Sequence, residues 1–366
     1  MKRLFVLTMA LFLVVGLIGC SGQKEKKEDN GIKVIPKPPK QELSVVSIDK
    51  LHGGHAHDIS PDGQTLLFSW DMGQPASDKM APATLLHTMN LADGSVKKLS
   101  HSEIHQGSAR YSPDGKNIAF VENEKTFFQT YVMENKPDAP KKLIHKSDEI
   151  ANFNSISWSP DGQTFAVSYF LINKGRIVLY DAQGNEKQSF QQPDGIAICP
   201  QFLDNHTLFY VAVDRANNTL KVMAQDVTAS TNKPKELVAG ANFEVSPDKR
   251  SLAYLVNDGD HSQWKMKVNA IDSNLKVGST LTETSVKDSL AQMAWSPDSR
   301  YLLFGDGSNI WVINPKNGDK KQLVSEIGMI YNLFWINAEE IIFTGVAKEA
   351  EGKGDYNFNT YRIKLK

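Results

Sequence analysis

One phrase recurs along this chain of 366 residues and constrains its fold more than any other feature. His57–Phe68 reads HDISPDGQTLLF, and the phrase returns at Ala109–Phe120 (ARYSPDGKNIAF) and Ile156–Val167 (ISWSPDGQTFAV). Altered copies stand at Phe243–Leu255 (FEVSPDKRSLAYL) and Met293–Phe304 (MAWSPDSRYLLF). Two weaker ones, PQFLDNHTLFY at Pro200–Tyr210 and LFWINAEEIIF at Leu333–Phe343, complete the series. Anchored on Ser60, Ser112, Ser159, Leu203, Ser246, Ser296 and Ile336, the steps are 52, 47, 44, 43, 50 and 40 residues. Steps of that size suit one four-stranded propeller blade per repeat.

The phrase has a mechanical reading. Ser-Pro-Asp-Gly suits a type I turn, with proline presetting φ at the second position and glycine at the fourth. An apolar strand precedes it and another follows, so each copy is a hairpin. A third strand comes next, as in GRIVLYD (Gly175–Asp181) or SNIWVIN (Ser308–Asn314), then a polar turn such as Asp93-Gly94, Gln183-Gly184 or Asn317-Gly318. A short lysine-bearing strand ends the repeat (Lys97-Lys98, Lys141-Lys142, Lys235, Lys320-Lys321). Lysines on an outermost strand discourage edge-to-edge pairing.

The seventh repeat stops after its third strand, Asn359–Leu365, while an unassigned strand, Glu42–Leu51 (ELSVVSIDKL), precedes the first. Setting that strand on the edge of the last blade closes a ring. The expected fold is all-β: a seven-bladed β-propeller of four-stranded antiparallel blades over residues 43–366, closed by its N-terminal strand. Six blades is the alternative, and it requires discarding one weak copy with no gap left to absorb it.

The chain begins with Met1, Lys2 and Arg3, followed by an almost wholly apolar run from Leu4 to Ile18. That run is short for a membrane span, which takes about 20 residues, and has the layout of a secretory signal. Its end, Leu17-Ile18-Gly19-Cys20-Ser21, resembles the bacterial lipobox. The resemblance implies a signal peptide over 1–19, cleavage before Cys20, lipidation of the Cys20 thiol and a lipid bilayer as partner through the acylated chain. Residues 20–42, charged and proline-bearing, then read as a flexible tether. With Cys20 lipidated, Cys199 is left without a disulfide partner, since the chain has two cysteines.

The repeats themselves resemble those of TolB-like propellers, relatives of the WD-type repeat. The resemblance covers residues 43–366 and is carried by the Ser-Pro-Asp-Gly turns at Ser60, Ser112 and Ser159. It implies an extracytoplasmic propeller that serves as a protein-binding platform in the cell envelope. In departure from the family's pattern, the additional α/β domain of TolB is not expected in this chain, and seven blades are expected where TolB has six.

Candidate site residues follow from the alternation of the innermost strands. One and three positions before each anchor the residues are apolar or aromatic, apart from His57, and pack blade on blade. Two positions before it lie Asp58, Arg110, Ser157, Gln201, Glu244, Ala294 and Phe334, and four positions before it Ala56, Ser108, Ser155, Cys199, Asn242, Gln292 and Asn332. Period two places these on the opposite face, toward the central channel. The set Asp58, Arg110, Gln201, Asn242, Glu244, Gln292 and Asn332 is therefore the candidate ligand site, either for a small ligand or for the tip of a partner. The alternative is that these groups only satisfy one another and channel water. His52, His55 and His57 form a local cluster, and His105 leads into the next blade. His55 and His57 share a strand face, which suits joint Zn²⁺ or Cu²⁺ ligation, but no flanking ligand set completes a known spacing; a polar rim is the other reading. Cys199 reads as a small core residue.

Lys plus Arg is 41 against 42 Asp plus Glu. A nucleic-acid partner is not expected without a basic excess. There is no G-x-S-x-G elbow, P-loop or G-x-G-x-x-G, so no cofactor is called for. The expected function is a membrane-anchored, non-enzymatic binding platform outside the cytoplasm. The alternative is a propeller enzyme, hydrolase or lyase in type, acting at the channel mouth with a metal at His55 and His57.

Overall fold

The computed structural model describes residues 43–366, apart from 76–81, 125–126, 152–154, 172–173, 193–194, 215, 218, 229–232, 258–263, 288–290 and 347–357. The expected leader, Cys20 and the tether lie outside the described residues, as does the Gly- and charge-rich stretch at 348–355.

Seven four-stranded antiparallel sheets make up the described residues, which contain no helix. Each of the first six sheets takes its strands in sequence order, from the innermost strand outward. The seventh is completed by the N-terminal strand Val45–Gly53, which pairs antiparallel with the last strand, Phe358–Leu365, with Ile48 opposite Ile363. The ring is thus seven-bladed and closed by its first strand. At the seam the Thr344 hydroxyl accepts from the Ala56 N–H (2.9 Å), and the Thr360 hydroxyl donates to the Gly54 carbonyl (3.1 Å).

The core explains why the second strand of every blade reads as an unbroken apolar run. Seven apolar clusters are present among the described residues, and each spans two neighbouring blades. In TFAV, Phe165 and Val167 join blade 2 residues Val121 and Val132, whereas Ala166 faces Ala197 and Leu208 of blade 4. A strand buried on both faces loses the polar half of its alternation.

The five Ser-Pro-Asp turns repeat one hydrogen-bond pattern. The serine hydroxyl donates to the aspartate two residues on, at 2.5–2.7 Å. It also accepts the N–H five residues on, at 2.8–3.0 Å. The fourth turn residue donates its N–H back to the serine carbonyl and lies in the left-handed region: φ is 71°, 70° and 68° at Gly63, Gly115 and Gly162, and 60° at Lys249 and Ser299. The turn therefore demands glycine for a reason beyond the type I geometry. Lys249 is exposed and bears this strain with its side chain in solvent. Lys249→Gly is expected to stabilise the protein by about 0.5–1 kcal/mol, read as a higher urea midpoint at unchanged slope.

Most of Ser69–Ala83, a stretch whose Met, Pro and Gly content suits a loop, prolongs a hairpin of the first blade. Strand Thr65–Pro75 pairs with Pro82–Asn90 as far as Pro75 opposite Pro82, after a register shift beyond Asp71. Proline is tolerated there because the end of a hairpin requires no further ladder donor.

Candidate functional site

The innermost strands do not alternate along their whole length. Register shifts interrupt them between Gly107 and Arg110, Ile198 and Gln201, Ala241 and Phe243, and Tyr331 and Leu333. At each shift one residue has positive φ: Ser108 (49°), Cys199 (54°), Asn242 (38°) and Asn332 (33°). These are β-bulges, which bend a strand and re-aim its side chains. Asn242 thereby donates to the Ala291 carbonyl of blade 6 (2.8 Å), and Asn332 to the Ala56 carbonyl of blade 1. In blade 1 the shift falls between Ala56 and Asp58, and Ala56 goes into the core. Ser155 of blade 3 is also fully buried, so neither Ala56 nor Ser155 reaches the channel.

The aromatic column beside each anchor stitches neighbouring blades together. Trp158, Trp295 and Trp335 donate their indole N–H to the carbonyls of Arg110, Glu244 and Ala294 on the preceding blade, at 3.4, 3.2 and 3.1 Å. Two of the channel-facing side chains serve the same end. Asp58 accepts the N–H of Tyr111 (2.9 Å) as well as that of Ile59 (2.9 Å), and Ser157 accepts the N–H of Phe202 (3.0 Å). Asp58 is thus a bridge between blades 1 and 2, its carboxyl pushed above the usual range by burial against the opposing field of Arg110.

Two cavities share the channel. One, about 340 Å³, is bounded by blades 2 to 5 and includes Arg110, Gln201, Asn242 and Glu244. The other, about 370 Å³, is bounded by Arg110 and by blades 5 to 7, including Glu244, Gln292 and Asn332. Arg110 and Glu244 belong to both, so the two charged groups stand where the cavities meet. Turn prolines Pro113, Pro247 and Pro297 also line them, so the cavities reach the face that carries the Ser-Pro-Asp turns.

Arg110 donates to the His57 carbonyl and to its neighbour Ala109 (3.1 Å). Glu244 accepts a long bond from the Gln201 amide (3.4 Å). Burial pushes the Glu244 carboxyl up to about 7, with the Gln201 bond and Arg110 pulling the other way. Burial and the Glu244 charge push the Cys199 thiol up to about 11. Cys199 is half-buried and lines the first cavity while packing against the core of blades 4 and 5.

The histidines take other places. His57 is buried, with Nε2 2.9 Å from the Ser69 hydroxyl and its ring against Gly107. Burial holds it well below its usual range. His55 is half-buried, its ring 5.2 Å from that of His57 and 5.2 Å from that of Phe358, with Nδ1 3.3 Å from the Asn332 amide. Burial brings it down to about 4. His105 stands apart, with Nδ1 3.3 Å from both the N–H and the hydroxyl of Thr84. Among the described residues, no group of three or more His, Cys, Asp or Glu side chains is placed to hold a metal ion.

No family model matches the chain, and no curated protein matches it. Solved structures do match. An oligogalacturonate lyase in complex with manganese is similar at 13% identity over 88% of this chain and 95% of that one, with a TM-score of 0.63. TolB from Acinetobacter baumannii is similar at 18% identity over 75% of this chain and 67% of that one, with a TM-score of 0.50. A chain of the mitotic checkpoint complex is similar at 12% identity over 94% and 98%, with a TM-score of 0.56. The chain carries a TolB-like propeller fold. A fold shared by a lyase, TolB and a checkpoint protein does not by itself fix a function.

Proposed function

We propose that this protein is an extracytoplasmic lipoprotein, held to a bacterial membrane through Cys20, whose propeller binds a partner protein or ligand at the turn-bearing mouth of its channel. The carrying observation is the meeting of Arg110 and Glu244 where two cavities join and open toward that face. Two opposite charges in a polar, partly desolvated funnel suit recognition of a partner's tip. The lipobox-like Leu17-Ile18-Gly19-Cys20 supports the anchor.

Both halves are testable. Cys20→Ser is expected to abolish incorporation of labelled palmitate and to release the protein from the membrane fraction; retention of the label rejects lipidation. For the platform, a photo-crosslinking residue at exposed Lys116, on the turn-bearing face, is expected to give a discrete adduct in native membranes. Arg110→Ala with Glu244→Ala removes that adduct. An adduct unaffected by the double substitution rejects the channel mouth as the binding site.

One observation favours a second reading, an enzyme of hydrolase or lyase type. A carboxyl brought to about 7 is in the range of a general acid or base at neutral pH. On this reading the candidate chemistry is at Glu244 rather than at His55 and His57, since His57 already engages Ser69. Turnover in a substrate screen that is lost in Glu244→Gln selects this reading over the first.

A further inference from the structure

The ligand class at this mouth is readable from the polar atoms that the channel leaves over. In the cavity bounded by blades 2 to 5, most side-chain donors and acceptors are committed to neighbouring blades. The Asn242 amide donates to Ala291, and the Ser157 hydroxyl accepts from Phe202. Two adjacent acceptors stand out among the described residues. The Gln201 Oε1 is buried without a hydrogen-bond partner. Among the described residues, the Glu244 carboxylate receives the long Gln201 bond on its side chain and feels the charge of Arg110 without an ion-pair contact to it. A buried acceptor left unmet costs about 1–3 kcal/mol, more when charged, so this pair is built at a loss unless something donates to it.

Among the described residues, the groups facing Glu244 do not donate a hydrogen bond to it beyond Gln201. Arg110 approaches from the innermost strand of blade 2 and its charge acts on Glu244, but it donates to the backbone carbonyls of His57 and Ala109. The Cys199 thiol approaches from blade 4 and, with its pKa pushed up to about 11, stays neutral. The remaining cavity walls are apolar and aromatic, among them Ile156, Trp158 and Phe243. The complement of two adjacent acceptors inside apolar walls is a compact, multiply donating cation on a hydrocarbon stem.

We propose that the cavity takes a primary ammonium group on an aliphatic stem, held by the Glu244 carboxylate and the Gln201 amide oxygen while the stem lies against Trp158 and Phe243. The ammonium is carried either by a lysine side chain of a partner protein or by a small free amine. This deepens the platform reading and rests on the channel mouth being the binding site.

The test is titration of the purified protein with n-butylammonium and with the peptide acetyl-Gly-Gly-Lys-Gly-Gly-amide, followed by calorimetry and by the ¹³C carboxyl shift of Glu244. Saturable binding is expected, weaker by about tenfold or more in Glu244→Gln, because a charge-assisted contact is lost. Gln201→Met is expected to weaken binding about threefold while leaving its pH dependence intact. Binding requires ionised Glu244, so affinity falls about thirtyfold from pH 8 to pH 5.5, and bound amine moves the carboxyl titration to lower pH. Tighter binding of the peptide than of n-butylammonium identifies a protein lysine as the source; the reverse identifies a free amine. Binding that is absent, or indifferent to Glu244→Gln, overturns the proposal. If the Lys116 adduct still forms in that case, the platform reading survives without it.

Discussion

Deleting residues 43–51 is expected to lower the thermal midpoint by about 7 °C and to leave much of the protein insoluble. The deletion removes most of the strand that closes the ring. Five cross-strand positions are lost, from Val45 opposite Leu365 to Lys50 opposite Tyr361, together with the reciprocal backbone bonds between Ser44 and Lys366 (3.2 and 3.0 Å). At about 0.5–1.5 kcal/mol per net hydrogen bond the loss is about 5 kcal/mol, a large part of the total of roughly 5–15 kcal/mol that a folded domain holds. For a folded unit of this size about 1.5 °C of melting temperature accompanies each kcal/mol. The deletion also strips the cover from Ile363 and Leu365, which are buried in the cluster between blades 6 and 7. A synthetic peptide of residues 43–51 added in trans is expected to recover part of the midpoint. A deletion variant that melts like the intact chain shows that closure does not depend on this strand.

Closure was legible in the sequence because it is a matter of counting: a seventh repeat one strand short and a spare strand before the first. The blade count and the apolar second strands were legible for a similar reason, since period and turn chemistry are properties of residue type. The channel was only half legible. Arg110, Gln201 and Glu244 reach it as alternation predicts, because they lie between the bulge and the turn, where the ladder is regular. Asn242 and Asn332 lie on the bulge, where a positive φ turns the side chain toward the next blade. Asparagine tolerates that conformation, so its recurrence at this position is a cue, though a weak one beside Ser108 and Cys199 at equivalent places. Nothing in residue type announced that Asp58 would bridge blades 1 and 2, since that depends on how closely the Tyr111 N–H approaches it.

Glu244→Gln is expected to stabilise the fold by about 3 kcal/mol at pH 8 and by less than about 1 kcal/mol at pH 5, measured by urea denaturation. The sign follows from the raised carboxyl. Its folded value of about 7 lies above the ordinary value of 4.5, so the folded state binds the proton more tightly. Stability tied to that proton is fully present below about 4.5 and is lost as pH rises through 7. Glutamine mimics the protonated acid and carries no such loss. The buried histidines act on the other limb. His55 at about 4, and His57 and His87 below their usual range, are held neutral by burial, so their contribution is present above 6.5 and is lost on acidification. The substitution is therefore expected to lift the alkaline limb of the stability curve and to leave the acid limb in place. A group that destabilises the fold at the pH where it is ionised, and that has only a long bond from Gln201 and the more distant charge of Arg110 to offset its burial among the described residues, is kept at the expense of stability, which is the pattern of a residue retained for what it binds. If Glu244→Gln gains no stability at pH 8, the carboxyl is better solvated than its surroundings imply, and the case for it as the anchoring group of the channel fails with it.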